Sequence, residues 1–443
     1  MHSNTPVQRG SSFMRSELNR RTLLKWGATG AAAAAATGLL AACSPAGTSG
    51  SSSGGKATVR MWSWYTEQKD TLPAVIKDFE AKHPNIKIES RIFGTPDQYL
   101  PALTAAVSGG DVPEIFAPHV RAITYGEQGI SADLKKEFGS SFLKNFFPST
   151  NQEYTKDGKQ YAVGWEAQTF GLFYNPDIFK QAGVDGEPET WDDLIEAAAK
   201  INAIGKAPVS ISCNPTTSAL DFFLPLITQV TDDPTYYLKL DQLQKGYAYT
   251  NKPVVEALDL NDKIVKAKVF QPGTTGTSGD QSSQLFYTEG AAMFYAGSWT
   301  PQGLIQNASP EFVKKYKIMK TPAIKSGARH WTADQAGAGF AVSDTSKNKA
   351  AALEFMKYLY TDKVYSDLMN KSNSMPSTQS AAEKVTNPQI KLMTSWLPDG
   401  CPHIPFGAGS SAAGDPLGKI FDQSATPAAV AKQMQAAVLN AKG

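Results

Sequence analysis

The sequence predicts an α/β protein built as two lobes, each a sheet flanked by helices. Two observations carry this. Apolar residues alternate between a period of two and a helical period, in strand–helix–strand–helix–strand order. About 390 residues also lie beyond a low-complexity N-terminal stretch, more than one ordinary core organises.

The elements follow in chain order. "ATVRMWSW" (57–64) reads as a strand. Leu72, Val75, Ile76 and Phe79 then fall at i, i+3, i+4 and i+7, one face of a helix that Pro84 ends. Ile86, Ile88 and Ile92 share one side of a second strand, and Tyr99, Leu103 and Val107 mark a helix from about Gln98. "GGDVPEIFAPH" turns into a third strand, which implies parallel strands with helical crossovers. Further on, Thr190 and Asp193 form a capping box for a helix with a Leu194, Ile195, Ala198, Ile201 stripe and Gly205 as its stop. Helices are also expected over about 347–360 and from Thr426-Pro427 onward, the last carrying Val430, Met434 and Val438.

The N-terminus reads as an export address. Paired Arg20 and Arg21 precede an apolar run, "GATGAAAAAATGLLAA", that ends at Cys43. The run has 16 residues, mostly Ala, short of the roughly 20 that span a bilayer. "LLAAC" resembles the lipobox of bacterial lipoproteins, in which the Cys is lipidated and becomes the new N-terminus. Residues 1–43 are thus expected to be a twin-arginine lipoprotein signal, and 44–56 a Ser/Gly tether standing the body off the membrane. The tether's "GSSSG" matches a nucleophile pattern only formally, because that motif needs a strand before it and a helix after it.

Composition excludes several classes. The first 42 residues hold five of the 43 basic and one of the 41 acidic residues, leaving 38 against 40, a net charge of about −2. No basic patch with interleaved aromatics suggests a nucleic-acid partner. No P-loop, zincin or dinucleotide-binding pattern occurs beyond the tether, and the five histidines lack metal-ligand spacing, so no cofactor or metal is expected. Apart from Cys43, Cys213 and Cys401 could bridge or stay separate buried thiols.

"DGKQYAVGWEAQTFGLFYNPDIFKQAGVDGEPETWDDLIEAAAKI" (157–201) resembles the most recognisable block of the bacterial extracellular solute-binding proteins of ABC importers, the group of maltose-binding protein. Gly164 stands where that block usually has Pro. "SGGDVPEIF" (108–116), "TEGAAMFYAGSW" (288–299) and "GAGFAVSDTSKNKAAALEFMKYLYTD" (337–362) resemble further blocks of the family, in order. The resemblance implies a periplasmic-binding-protein-like fold with a hinged ligand cleft. One lobe would comprise 57–164 plus 325–371, the other 167–321 plus 377–443. Crossings would lie near Gly164–Glu166, Thr321-Pro322 and Ser372–Pro376. It further implies a monomeric, non-enzymatic receptor, lipid-anchored outside the cytoplasm, that hands a sugar or short oligosaccharide to the transmembrane subunits of an ABC permease. Alternatives are a receptor for a polyol or glycerophosphodiester, with Arg121 or Arg329 meeting the phosphate, or a secreted carbohydrate-active enzyme.

A sugar offers apolar CH faces and a rim of hydroxyls, so its receptor needs aromatic plates together with carboxylates and amides. These belong where strands hand over to loops. Trp299, displayed by the Gly297-Ser298 turn after a strand, leads the candidates. Trp62, Trp64 and Tyr65 end the first strand and either face the cleft or pack at its edge. Asp97 is a contact or the N-cap of the helix at Gln98, and Asp221 a contact or a first-turn acid. Glu166 and Gln168 follow the first crossing. Trp331 and Asp334 lie by the glycine-rich "ADQAGAGF", and Phe406 supplies a late aromatic wall or packs on its own lobe.

Overall fold

A computed structural model describes residues 56–401 and 410–442; the export segment with Cys43, nearly all of the tether, and Phe406 lie outside the described residues. Among the described residues the strands are β1 (Ala57–Ser63), β2 (Ile86–Ile92), β3 (Ile115–Phe116), β4 (Thr155–Lys156), β5 (Lys159–Gln160), β6 (Val163–Tyr174), β7 (Ala207–Ser210), β8 (Ala291–Gly297), β9 (Lys317–Met319), β10 (Thr332–Val342) and β11 (Gly400–Cys401). β4 and β5 form a separate hairpin. The others make one sheet in the order β2-β1-β3-β10-β6-β8-β7, with β9 added on β6 and β11 on β10. β1 pairs in parallel with β2 and β3, and β7 with β8, as helical crossovers require. β6 is antiparallel to both β8 and β10.

Local sequence accounts for the helices. Leu72–Lys82 buries Leu72 and Phe79, and Trp191–Ala203 carries the Thr190–Asp193 capping box. The closing helix Pro427–Lys442 buries Val430, Met434 and Val438 completely. The helix expected at Gln98 starts earlier, as Pro96–Ser108. Pro96 suits its first turn and the Thr95 hydroxyl accepts from Gln98 N, so Thr95 rather than Asp97 is the N-cap. Cys213 and Cys401 are both free and buried.

Side chains of the sheet divide among distinct cores. The first gathers Val59, Phe79, Tyr99, Phe340 and Phe355; the second Leu172, Leu194, Phe223, Met293 and Met434. A third, smaller one takes Phe173, Phe294, Phe312 and Met393. Alternation along a strand explains the split: on β6, Leu172 and Tyr174 point one way and Phe173 the other. Both faces are therefore covered, which is why β8 reads as an unbroken apolar run.

β6 and β10 each run from one core to the next. On β6 the change falls between Trp165 and Phe170, and on β10 between Ala333 and Ala338. This lies well past Thr321-Pro322, because Thr321 Oγ1 still bonds Trp331 O at 3.0 Å and Ala323 N bonds Glu189 O at 2.8 Å. Near Ser372–Pro376, Met369 packs in the first core and Met375 in the third; Ala381 then returns to the first before Val385 joins the third. Gly164 sits where β6 passes close to other backbone. A Cβ there would lie 2.8 Å from Thr150 O, which accounts for a glycine at this position.

Candidate functional site

β8 ends at Gly297, and Ser298-Trp299 turn the chain into the helix Thr300–Asn307. Trp299 is 40% exposed, unlike most large apolar side chains of the described residues. Its ring folds back over Gly297, where a Cβ would lie 2.0 Å from the indole. Only glycine leaves that space. The β6–β8 register puts Phe170 opposite Gly297, so Phe170 meets the Trp299 ring edge-on at 5.1 Å and Tyr295 at 5.4 Å. These three aromatics side a recess of about 870 Å³, within the range of small-molecule sites. Asp221, Asp280 and Ser212 also line it, as does Pro96, whose helix packs on the first core.

Asp221 lies in the first turn of the helix Ala219–Thr231, the position at which a helix N-terminus favours an acid. Tyr295 donates to the Asp221 carbonyl at 2.8 Å, tying this helix to β8. The half-buried carboxyl itself has neither a hydrogen bond nor an ion pair among the described residues. Burial pushes its pKa up to about 7.

The other candidates fall into separate groups. Past the end of β1, Trp64 packs against Tyr65 at 5.0 Å, Tyr99 at 4.9 Å and His119 at 5.5 Å. Tyr65 is buried, its hydroxyl donating to Gly339 O at 2.8 Å and accepting from Gly339 N at 2.9 Å. Trp62 rests edge-on against Phe93 at 5.6 Å, with the Arg91 guanidinium 5.4 Å from its ring. Asp97 falls in the first turn of Pro96–Ser108, next to the recess-lining Pro96.

Glu166 is buried on β6, facing a bulge of β10 at Gly337-Ala338. It accepts from Gln68 Nε2, and Gln68 Oε1 accepts from the Trp165 indole at 2.5 Å. Glu67 and Ser374 complete its hydrogen bonds. Burial first, then the Glu67 charge, raises Glu166 well above the carboxylate range, and burial raises Glu67 as well, which favours one proton shared between the two carboxyls. Gln168 is half-buried on β6, level with Gln335 of β10.

Neither Trp331 nor Asp334 is among the described residues that line the recess. The Trp331 indole donates to Asp232 Oδ1 at 2.9 Å, beneath Arg329 at 4.6 Å. Asp232 caps the far end of the helix that Asp221 begins, about 16 Å along its axis. Asp334 is buried against Gly400, where a Cβ would lie 2.5 Å from Asp334 Oδ2.

Of the sequence candidates, the recess thus unites Trp299 and Asp221. Phe170, Tyr295 and Asp280 were not singled out from sequence. Phe170 does sit in the quoted 157–201 block just after Gln168, but its place beside Trp299 depends on strand register. Among the described residues no cluster of His, Cys, Asp or Glu could hold a metal ion, and no helix is long and apolar enough to cross a membrane.

The sequence profile of the bacterial extracellular solute-binding proteins matches residues 63–365. The multiple sugar-binding protein of Streptococcus mutans is 24% identical over 361 residues, 79% of this chain and 82% of that protein. The arabinooligosaccharide-binding protein of Bacillus subtilis is 24% identical over 333 residues, 72% of each. Among solved structures, the cyclic alpha-maltosyl-1,6-maltose binding protein of Arthrobacter globiformis superposes with a TM-score of 0.73 at 20% identity, over 87% of this chain and 99% of its own. The fold is the two-lobe, periplasmic-binding-protein-like α/β fold of sugar receptors. With the family profile running from the end of β1 into the first turn of the helix Asp362–Lys371, this chain belongs to the bacterial extracellular solute-binding protein family.

Proposed function

We propose that this protein captures a sugar or short oligosaccharide in the recess beside Trp299 and delivers it to an ABC permease, as a monomer lipid-anchored through Cys43. The exposed Trp299 carries the reading: it is a large apolar plate held open to a recess of mixed apolar and polar lining, which offers a sugar ring one stacking face and carboxylate and hydroxyl acceptors around it. Membership of an extracellular family implies work outside the cytoplasm, and the relatives named above are binding proteins rather than enzymes. Closure would bring the first core's side, with Trp64 and Pro96, down on the ligand, hinging where β6, β10 and residues 372–384 pass between cores.

A phosphorylated solute is less well served. No Lys, Arg or His is among the described residues that line the recess. Arg121 is engaged with Thr104 at 2.9 Å, and Arg329 with Asp399 at 3.1 Å. The test is a thermal-shift screen across sugars, followed by indole-fluorescence titration of the hits and product analysis. Saturable binding with unchanged sugar is expected, and Trp299→Ala should weaken it about tenfold or more while leaving the melting temperature near that of the parent. Turnover of the sugar, or full affinity in Trp299→Ala, would overturn the reading.

A further inference from the structure

The charge of the recess narrows the ligand class, building on the proposed sugar-binding role. Two carboxylates line it, Asp221 and Asp280, and no basic side chain of the described residues does. Neither carboxylate is ion-paired or hydrogen-bonded within the described protein. Both occupy first turns of helices, Ala219–Thr231 and Gly279–Tyr287, where the positive end of the dipole favours an anion. Asp280 is exposed and costs little. Asp221 is half-buried in a recess walled by Phe170, Tyr295, Ile211 and several serines, and its carboxyl takes up no hydrogen bond among the described residues.

Aromatic faces add to this field. Trp299, Phe170 and Tyr295 stand on the same recess, and the face of an indole attracts a cation. Carboxylates and aromatic faces also serve neutral sugars; what favours an ammonium group is that, among the described residues, the half-buried Asp221 carboxyl has no partner and no basic side chain lines the recess. A neutral sugar would give Asp221 hydroxyl donors only, whereas a protonated amine supplies both the donor and the opposite charge.

We infer that the preferred ligand is an amine-bearing saccharide, its ring stacked on Trp299 and its ammonium group directed to the Asp221 carboxylate. Asp280 adds a long-range attraction at the mouth, one that added salt would screen.

The test is isothermal titration of the full chain with matched short oligosaccharides of glucosamine and of N-acetylglucosamine, alongside neutral glucose oligosaccharides. The two amino-sugar series share ring and linkage; acetylation removes the charge and adds an acetyl group, and the neutral glucose series, which lacks both, separates the two effects. Free-amine forms should bind about tenfold or more tightly than their acetylated counterparts. Asp221→Asn should erase that difference, while Trp299→Ala weakens every saccharide that binds. Equal or weaker binding of the free amines, with Trp299→Ala still harmful to the neutral sugars, overturns the charge inference and leaves the sugar-receptor reading standing. A preference for the amine that survives in Asp221→Asn overturns the assignment to Asp221. Failure of every saccharide to bind removes both readings together.

Discussion

Gly297 decides where Trp299 can lie. The indole occupies the volume that any Cβ at 297 would need, so a residue without functional groups positions the proposed stacking plate. Gly297→Ala should therefore push the ring off its bed and reduce sugar affinity although the indole is still present. Overpacking of this kind costs about 1–3 kcal/mol, visible as a lower melting temperature. Unchanged affinity and melting temperature would mean that the ring has other room. The Gly-Ser-Trp step was legible in sequence because two turn-forming residues before a large apolar one are at odds with core packing. Phe170 and Tyr295 were less so, because which strand face each uses depends on the β6–β8 register, set by chain far away in sequence.

Among elements, the helices were the most legible, since capping and the 3.6-residue period are local: Thr190–Asp193 and the Val430, Met434, Val438 stripe stand as read. β10 was not. "TADQAGAGFAV" lacks alternation and is rich in small residues, and it becomes a strand because β6 supplies the ladder beside it. The bulge at Gly337–Gly339 lies opposite Glu166, the residue that links β6 to Gln68, Glu67 and Ser374. Among the described residues no cation faces this carboxyl pair; the titratable groups around it are Tyr65, Tyr360 and Tyr365. Because the folded-state pKa of Glu166 is raised, its proton stabilises the fold at acid pH, and that contribution is lost as pH rises through the folded value. Glu166→Gln mimics the protonated form. Its melting temperature should match the parent in mild acid and exceed it at alkaline pH, and parallel melting-temperature curves for the two proteins would refute the shared proton.

For the whole molecule, length alone called for more than one core, and the cores on either side of β6 and β10 meet that requirement. The positions where the chain changes core were harder to read, because continuous strands carry it across with no break in pattern. β10 carries one passage into its own strand, between Ala333 and Ala338, and around 369–385 the chain alternates between the first and third cores. Anchoring belongs to this scale as well: Cys43→Ala should move the protein from the membrane fraction to the soluble one, and retention at the membrane would remove lipidation at Cys43 from the account. The most direct measurement is a crystal structure with the tightest-binding sugar. The account predicts a sugar ring stacked on Trp299 beside Asp221, with the first core's elements closed over it. A sugar bound elsewhere, with Trp299 touching only its own strands and helix, would contradict it.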